Sequence, residues 1–224
     1  MKNKLPTKKQ LDEVAPFLQQ AIKGMGFVPN SLRYMAHKPN VLSSFSLFFG
    51  NVRGFSGASV PLIRGLQLLA KNVWFSWQAK RRKQEEVPLY LKNLVAHMSS
   101  NAAGCRYCQA HTAYEAHHNG VAIEKIQTIW DFEDSTLFDK SEKAALRFAW
   151  AAASVPNAVT EAHHQALQQH YTEAQIVEII ATIALFGFLN RWNDSMGTPL
   201  ETLPLNFAET HLKSTGWQVG KHTS

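Results

Sequence analysis

Both cysteines of the 224-residue chain fall in one stretch, NAAGCRYCQAHTAYEAHHNG, as Cys105 and Cys108, with His111 three residues further on. On a helix, residues three apart have Cβ atoms about 5–6 Å apart, whereas a disulfide needs about 3.5–4.5 Å. A bridge between these thiols therefore closes only by distorting the first helical turn, and a strained bridge is easily reduced. That favours a dithiol cycling between states over a structural staple, with Gly104 supplying the break ahead of the turn. The partial positive charge of a helix N-terminus favours the thiolate, the nucleophilic form, and this points to Cys105. His111, one turn beyond Cys108 on the same stripe, points instead to Cys108, whose proton a neutral imidazole takes or whose thiolate an imidazolium stabilises. Glu115 continues the stripe, either to orient the ring or as an exposed carboxylate.

Other uses of the same residues compete. Two thiolates and an imidazole offer three zinc ligands, with His117, His118, His163 or His164 as sources of a fourth, but no second cysteine pair accompanies them. No metal and no other cofactor is expected. Haem attachment is excluded because Gln109 stands where that motif needs histidine, and a thioredoxin-like domain is disfavoured by the lack of a βαβ pattern. Two core cysteines beside a surface histidine would need no chemistry at all.

The elements that must position these residues are helical. Apolar residues recur at helical spacing, first as Leu11, Val14, Ala15, Leu18 and Ile22 behind a Thr7–Gln10 capping box, read as one helix ending at residues 24–26. A short helix is broken at Pro39, a longer one carries Val41, Phe45, Phe49 and Val52, and another starts near Pro61. Pro88 reads as a first-turn proline of a helix through Leu91, Leu94 and Met98 that stops near Gly104. The cysteine helix follows, closed by Gly120, and oxygen caps at Asp139, Thr160 and Thr172 open further helices. No strand pair is legible. The expectation is a single all-α domain, 1–224, of about eight to ten helices with a less regular tail from about residue 197.

With 45% hydrophobic and 18% charged residues the chain is of ordinary globular composition. Its net charge of +6 is scattered apart from KRRK at 80–83, which reads as a solvated face, so neither nucleic acid nor membrane is expected as a partner. The most apolar window, residues 176–190, is short and carries Glu178, and reads as a buried helix. The basic N-terminus turns polar where a signal peptide needs an apolar run, which makes a reducing cytoplasm the expected compartment.

The cysteine stretch inside an all-helical chain resembles the alkylhydroperoxidase D and carboxymuconolactone decarboxylase superfamily, especially its peroxidase-related branch. GFVPNSLRYMAHKPNVLSSF resembles the N-terminal region of that branch and TEAQIVEIIATIALFGFLNRWNDSMGTPLE its C-terminal region, so the likeness spans about residues 24–200. It implies an oligomeric all-α fold in which a cysteine pair reduces hydroperoxides. By position it makes Cys108 the peroxidatic cysteine, Cys105 the resolving one and His111 the base. The family also places a glutamate twelve residues before the first cysteine, feeding a proton relay, where this chain has Asn93. An amide cannot exchange that proton. His97, one turn after Asn93, is the nearest titratable replacement, or else a satisfied buried histidine, and Glu115 is the second.

The family position and the proximity of His111 are followed over the helix-end argument, and the expected function is a peroxidase-like oxidoreductase in which Cys108 attacks a hydroperoxide, Cys105 condenses with the sulfenic acid, and an external thiol reduces the pair. A decarboxylase-like non-redox enzyme of the same fold and a zinc-stabilised binding module are the alternatives. A homo-oligomer is expected because Trp74, Phe75 and Trp77, with Leu203, Leu205, Phe207 and Trp217, offer more apolar surface than one small domain covers.

Overall fold

The computed structural model describes residues 5–25, 27–52, 62–81 and 86–223. Twelve α-helices and no strand occur among them, which makes the fold all-α as the periodicity predicts. Pro61, and Arg82 and Lys83 of the basic run, lie outside the described residues.

The helix count exceeds the predicted eight to ten because short elements separate where one was read. The first helix is two, α1 (Lys8–Glu13) and α2 (Ala15–Met25), divided at Val14, which has φ −99° and ψ 7°. Pro16 is the cause, since it has no N–H to continue the ladder and disfavours helical geometry before it. The capping box is present as read: Thr7 Oγ1 accepts from the Gln10 N–H at 3.3 Å, and Gln10 Oε1 accepts from the Thr7 N–H at 2.8 Å.

The chain groups into two compact units. The first, Met1–Glu86 with Glu173–Glu178, also holds α3 (Asn30–Met35), α4 (Pro39–Val52) and α5 (Leu62–Arg81). Its core is Val14, Phe17, Leu18, Leu32, Ala36, Leu42, Leu68 and Phe75. The Lys38 ammonium donates to Glu178 Oε2 at 2.9 Å, with both side chains largely buried, an arrangement that keeps neither charge unpaired away from water. Phe75 is buried here, whereas Ile63, Leu66, Val73, Trp74 and Trp77 of α5 are exposed.

The second unit, Val87–Thr172 with Ile179–Ser224, carries the cysteines. It contains α6 (Leu89–Ala102), α7 (Arg106–His118), α8 (Ile123–Gln127), α9 (Lys140–Ala153), α10 (Glu161–Gln168), most of α11 (Glu173–Met196) and α12 (Thr202–His211). Helix α6 packs on α7 and α9, and α7 also packs on α12. Ala110, Ala113 and Ala116, all fully buried, give α7 a flat face for these close approaches. Asp139 and Glu142 form the capping box that starts α9.

Two expectations are corrected. The apolar segment of α11 is not a buried helix: 28% of its most apolar window is buried, and Leu185, Phe188, Trp192 and Met196 are exposed. Its apolar residues run around the whole helix, more surface than the unit covers, and by length and composition alone it is long and apolar enough to cross a membrane. The tail is also more ordered than read. Beyond α12 it makes a 3-10 turn at Lys213–Thr215 and returns to the cysteine helix, where Trp217 Nε1 donates to the Arg106 carbonyl at 3.1 Å.

Candidate functional site

Helix α6 ends and α7 begins across Gly104, whose φ of +74° is the left-handed region that an L side chain rarely adopts. A Cβ there would meet nothing within 4 Å, so the backbone conformation and not space demands glycine. The turn delivers Cys105 as the N-cap of α7, where its Sγ accepts the Cys108 N–H at 3.4 Å. Both thiols are free, and both are buried.

The environments of the two thiols differ in sign. The Cys108 thiol beside it, together with the N-cap amides, holds the Cys105 thiol below its ordinary range despite burial. Cys108 moves the other way, because its proton is engaged with Cys105, it is buried, and a charge on Cys105 repels a second one. The Asn193 amide, 3.6 Å from Cys108 Sγ, opposes that rise only in part. Of the two thiols, the one at the helix end is therefore the more readily ionised.

The structure gives His111 a different neighbour from the one its spacing suggests. Its Nε2 lies 2.7 Å from Glu201 Oε2, and its ring stacks on Tyr107 with centroids 4.3 Å apart. No hydrogen bond runs from His111 to either sulfur. Tyr107 donates to the other Glu201 oxygen at 3.0 Å. Burial and the Glu201 bond push the Tyr107 hydroxyl up to about 12. Burial works against the Glu201 carboxylate, but its backbone and the bonds from His111 and Tyr107 hold it below its ordinary range. Glu115 is exposed, and its carboxylate takes no part in this network.

His97 and Asn93 sit inside. The His97 Nδ1 is 2.9 Å from Thr112 Oγ1, and that hydroxyl donates to the Cys108 carbonyl at 2.7 Å. The Thr112 proton is thereby spent, so His97 Nδ1–H donates to it and Nε2 accepts from Asn101 at 3.2 Å. Burial lowers the His97 pKa to about 4. The ring is a neutral strut from α6 to the backbone of the first turn of α7. Asn93 is buried and its Nδ2 has no hydrogen-bond partner.

Glu201, Asn193, Asp194, Thr112 and His222 are the site residues that the sequence reading missed. A ring nitrogen of His222, the Cys105 sulfur and an Asp194 oxygen lie within 4.8 Å of one another, the one three-donor group of its kind among the described residues. His117, His118, His163 and His164 do not join the cysteines in such a group. Beside the site, a cavity of about 300 Å³ is lined by His97, Gly104, Arg106, Ile129, Trp130 and Trp217, among others, with neither cysteine on its wall.

The fold and site define an all-helical unit with a Cys-x-x-Cys pair at the N-terminus of one helix. Residues 68–151, which include the cysteine helix, match the carboxymuconolactone decarboxylase family. Over these residues the chain is similar to that family, which supports a place in the alkylhydroperoxidase D and carboxymuconolactone decarboxylase superfamily. The protein YnjA of Escherichia coli is 26% identical over 122 residues, 54% of this chain and 67% of its own. The crystal structure of the debrominase Bmp8 is 27% identical with a TM-score of 0.53, covering 92% of this chain and 95% of that one. A Bmp8 variant was solved in complex with 2,3,4-tribromopyrrole, at 26% identity and a TM-score of 0.54. An Agrobacterium tumefaciens protein of the alkylhydroperoxidase D type shares the fold at 19% identity and a TM-score of 0.50, over 52% of this chain and 80% of that one.

Proposed function

We propose that this protein is a thiol-dependent reductase that passes two electrons from Cys105 and Cys108 to a hydroperoxide. The observation that carries the reading is the N-cap position of Cys105, which accepts the Cys108 N–H and is held below the ordinary thiol range. The Cys105 thiolate attacks the peroxide oxygen, the O–O bond breaks, and the alkoxide leaves as the alcohol after protonation. Cys108 then condenses with the sulfenic acid, releasing water and leaving a disulfide that an external thiol reduces. This order is the reverse of the one implied by position in the family, and it follows the electrostatics of the pair. His97, through Thr112, positions the backbone of Cys108.

The similarity to the debrominase across 92% of the chain favours a second reading, reductive removal of halide from an aromatic ring by the same dithiol. Both readings end in a disulfide, so one paired assay separates them: hydroperoxide consumption and bromide release from 2,3,4-tribromopyrrole, each with a dithiol reductant, for wild type and for Cys105→Ser. Peroxide turnover that the variant lacks supports the first. Bromide release alone moves the function to the second, and neither activity would leave the non-redox decarboxylase-like chemistry.

Restoring the carboxylate that the family carries is expected to help. Asn93→Glu replaces a buried amide that has an unpartnered donor, and a working relay should raise peroxide turnover at least severalfold, since acid–base assistance contributes roughly 10²–10⁴-fold. Steady-state rates across pH measure this. An unchanged rate with intact folding would mean that proton transfer through this position is not limiting.

The exposed apolar faces of α5 and α11 support self-association. Light scattering at micromolar concentration is expected to give a multiple of the 25.2 kDa chain mass. A mass of one chain would refute it.

A further inference from the structure

His222 comes from the far end of the chain and is 1% exposed. Its Nδ1 lies 2.8 Å from the Thr198 carbonyl oxygen. A carbonyl only accepts, so Nδ1 carries a proton and Nε2 is the nitrogen left to act as an acceptor. That atom is buried and has no hydrogen-bond partner. It lies 3.6 Å from Asp194 Oδ1, and a ring nitrogen of the same residue is within 4.8 Å of the Cys105 sulfur. A buried, unpartnered acceptor 3.6 Å from a carboxylate, on a ring that has a nitrogen within 4.8 Å of a thiol sulfur, is placed to take that thiol's proton.

We propose that His222 is the proton acceptor for Cys105. The thiol proton moves from Sγ to Nε2, leaving a thiolate and an imidazolium with no change in oxidation state, and the Asp194 carboxylate stabilises the imidazolium. The Thr198 carbonyl orients the ring through Nδ1, the part a third residue takes in nucleophile–base–orienter arrangements. The tail is fixed by the Trp217 bond to Arg106 and by the Leu200 N–H donating to the His222 carbonyl at 2.9 Å. The other titratable groups near the ring are Lys221, paired with Asp194 at 2.8 Å, and Tyr107, with ring centroids 5.8 Å away. Beyond Tyr107 lie Glu201 and His111.

The proposal rests on Cys105 being the attacking thiol, and its test needs no peroxide. Iodoacetamide alkylation of Cys105 is measured against pH in a Cys108→Ser background, with and without His222→Gln. Loss of the base is expected to slow alkylation about tenfold near neutral pH, the effect of moving a thiol pKa up by roughly one unit, and the gap should close at alkaline pH where the thiol ionises unaided. An equal slowing at every pH means altered access and overturns the proposal, as does no slowing at all. Should His222→Gln undock the tail, His222→Ala with added imidazole decides: a folded protein by circular dichroism whose alkylation the imidazole restores supports the base role, and a folded protein without rescue refutes it. Stoichiometric zinc in untagged wild-type protein that His222→Gln loses would make these groups ligands and overturn it too. Base-dependent alkylation without peroxide turnover removes the proposed function while leaving this assignment intact. Undiminished peroxide turnover in His222→Gln removes the assignment alone.

Discussion

Cys105→Ser is expected to abolish the first reaction with peroxide, whereas Cys108→Ser performs it once and stops at the sulfenic acid. The asymmetry follows from the helix end. Cys105 accepts the Cys108 N–H and the proton of its thiol, while Cys108 is pushed up by giving that proton, by burial and by the charge it faces. Removing the nucleophile costs roughly 10³-fold or more in enzymes that form a covalent intermediate, and removing its partner leaves that first step intact. Single-turnover peroxide consumption with a sulfenic-acid trap and peptide mass mapping reads the difference. Label on residue 105 in Cys108→Ser is the expected result. Label on residue 108 in Cys105→Ser would restore the order that the family position implies. Both variants are expected to lose multiple turnover, because each lacks the second sulfur that closes the disulfide.

Serine at 108 keeps a hydroxyl donor within reach of Cys105, whereas alanine keeps none. Cys108→Ala is therefore the harsher change for the Cys105 thiolate, and comparing the two variants separates the loss of the hydrogen bond from the loss of the resolving sulfur.

The parts of this site that are local in sequence are legible in it. Pro88, Gly104 and Gly120 mark the ends of α6 and α7, and the cysteine spacing alone places Cys105 at the start of a turn. On the attacking thiol the helix end points to Cys105 and the family position to Cys108, and the sequence reading follows the family, whereas the reading proposed above follows the helix end. What the sequence conceals is closed through space. His111 lies on the predicted stripe, but a stripe on an exposed helix face has many possible neighbours, and Glu201, ninety residues later, supplies the nearest. No periodicity couples His222 to Cys105, because the segment from Gly197 to His222 follows a turn, a helix and a return that depend on Trp217 finding the Arg106 carbonyl. The exposure of α11 is hidden from the sequence for a related reason: hydrophobicity tells that surface must be covered somewhere, and not that this chain alone covers it.

His97 makes the stability of the fold depend on pH. Burial holds its pKa at about 4, against about 6.5 for the ring in an unfolded chain. Above pH 6.5 both states are neutral and the full stability is present. As pH falls from 6.5 toward 4, the unfolded chain binds a proton that the folded one refuses, so stability drops by about 1.4 kcal/mol per unit and by about 3 kcal/mol in all. His97→Gln keeps a donor for Thr112 and an acceptor for Asn101 but cannot be protonated there. Urea unfolding at pH 7.5, 5.5 and 4.5 is expected to show the variant slightly less stable at neutral pH, through imperfect packing, with the gap shrinking or reversing in acid. Carboxylates titrating elsewhere contribute to both proteins and cancel in the difference. Parallel stability curves would mean that His97 is not the acid-sensitive group. The reach into function is direct: His97 holds Thr112, and Thr112 holds the Cys108 carbonyl. The folded ring stays neutral down to about pH 4, and a proton then added at Nε2 costs the Asn101 bond and charges a buried site while Nδ1–H still holds Thr112, so thiol reactivity of the folded protein should persist to near pH 4 and further into acid in His97→Gln.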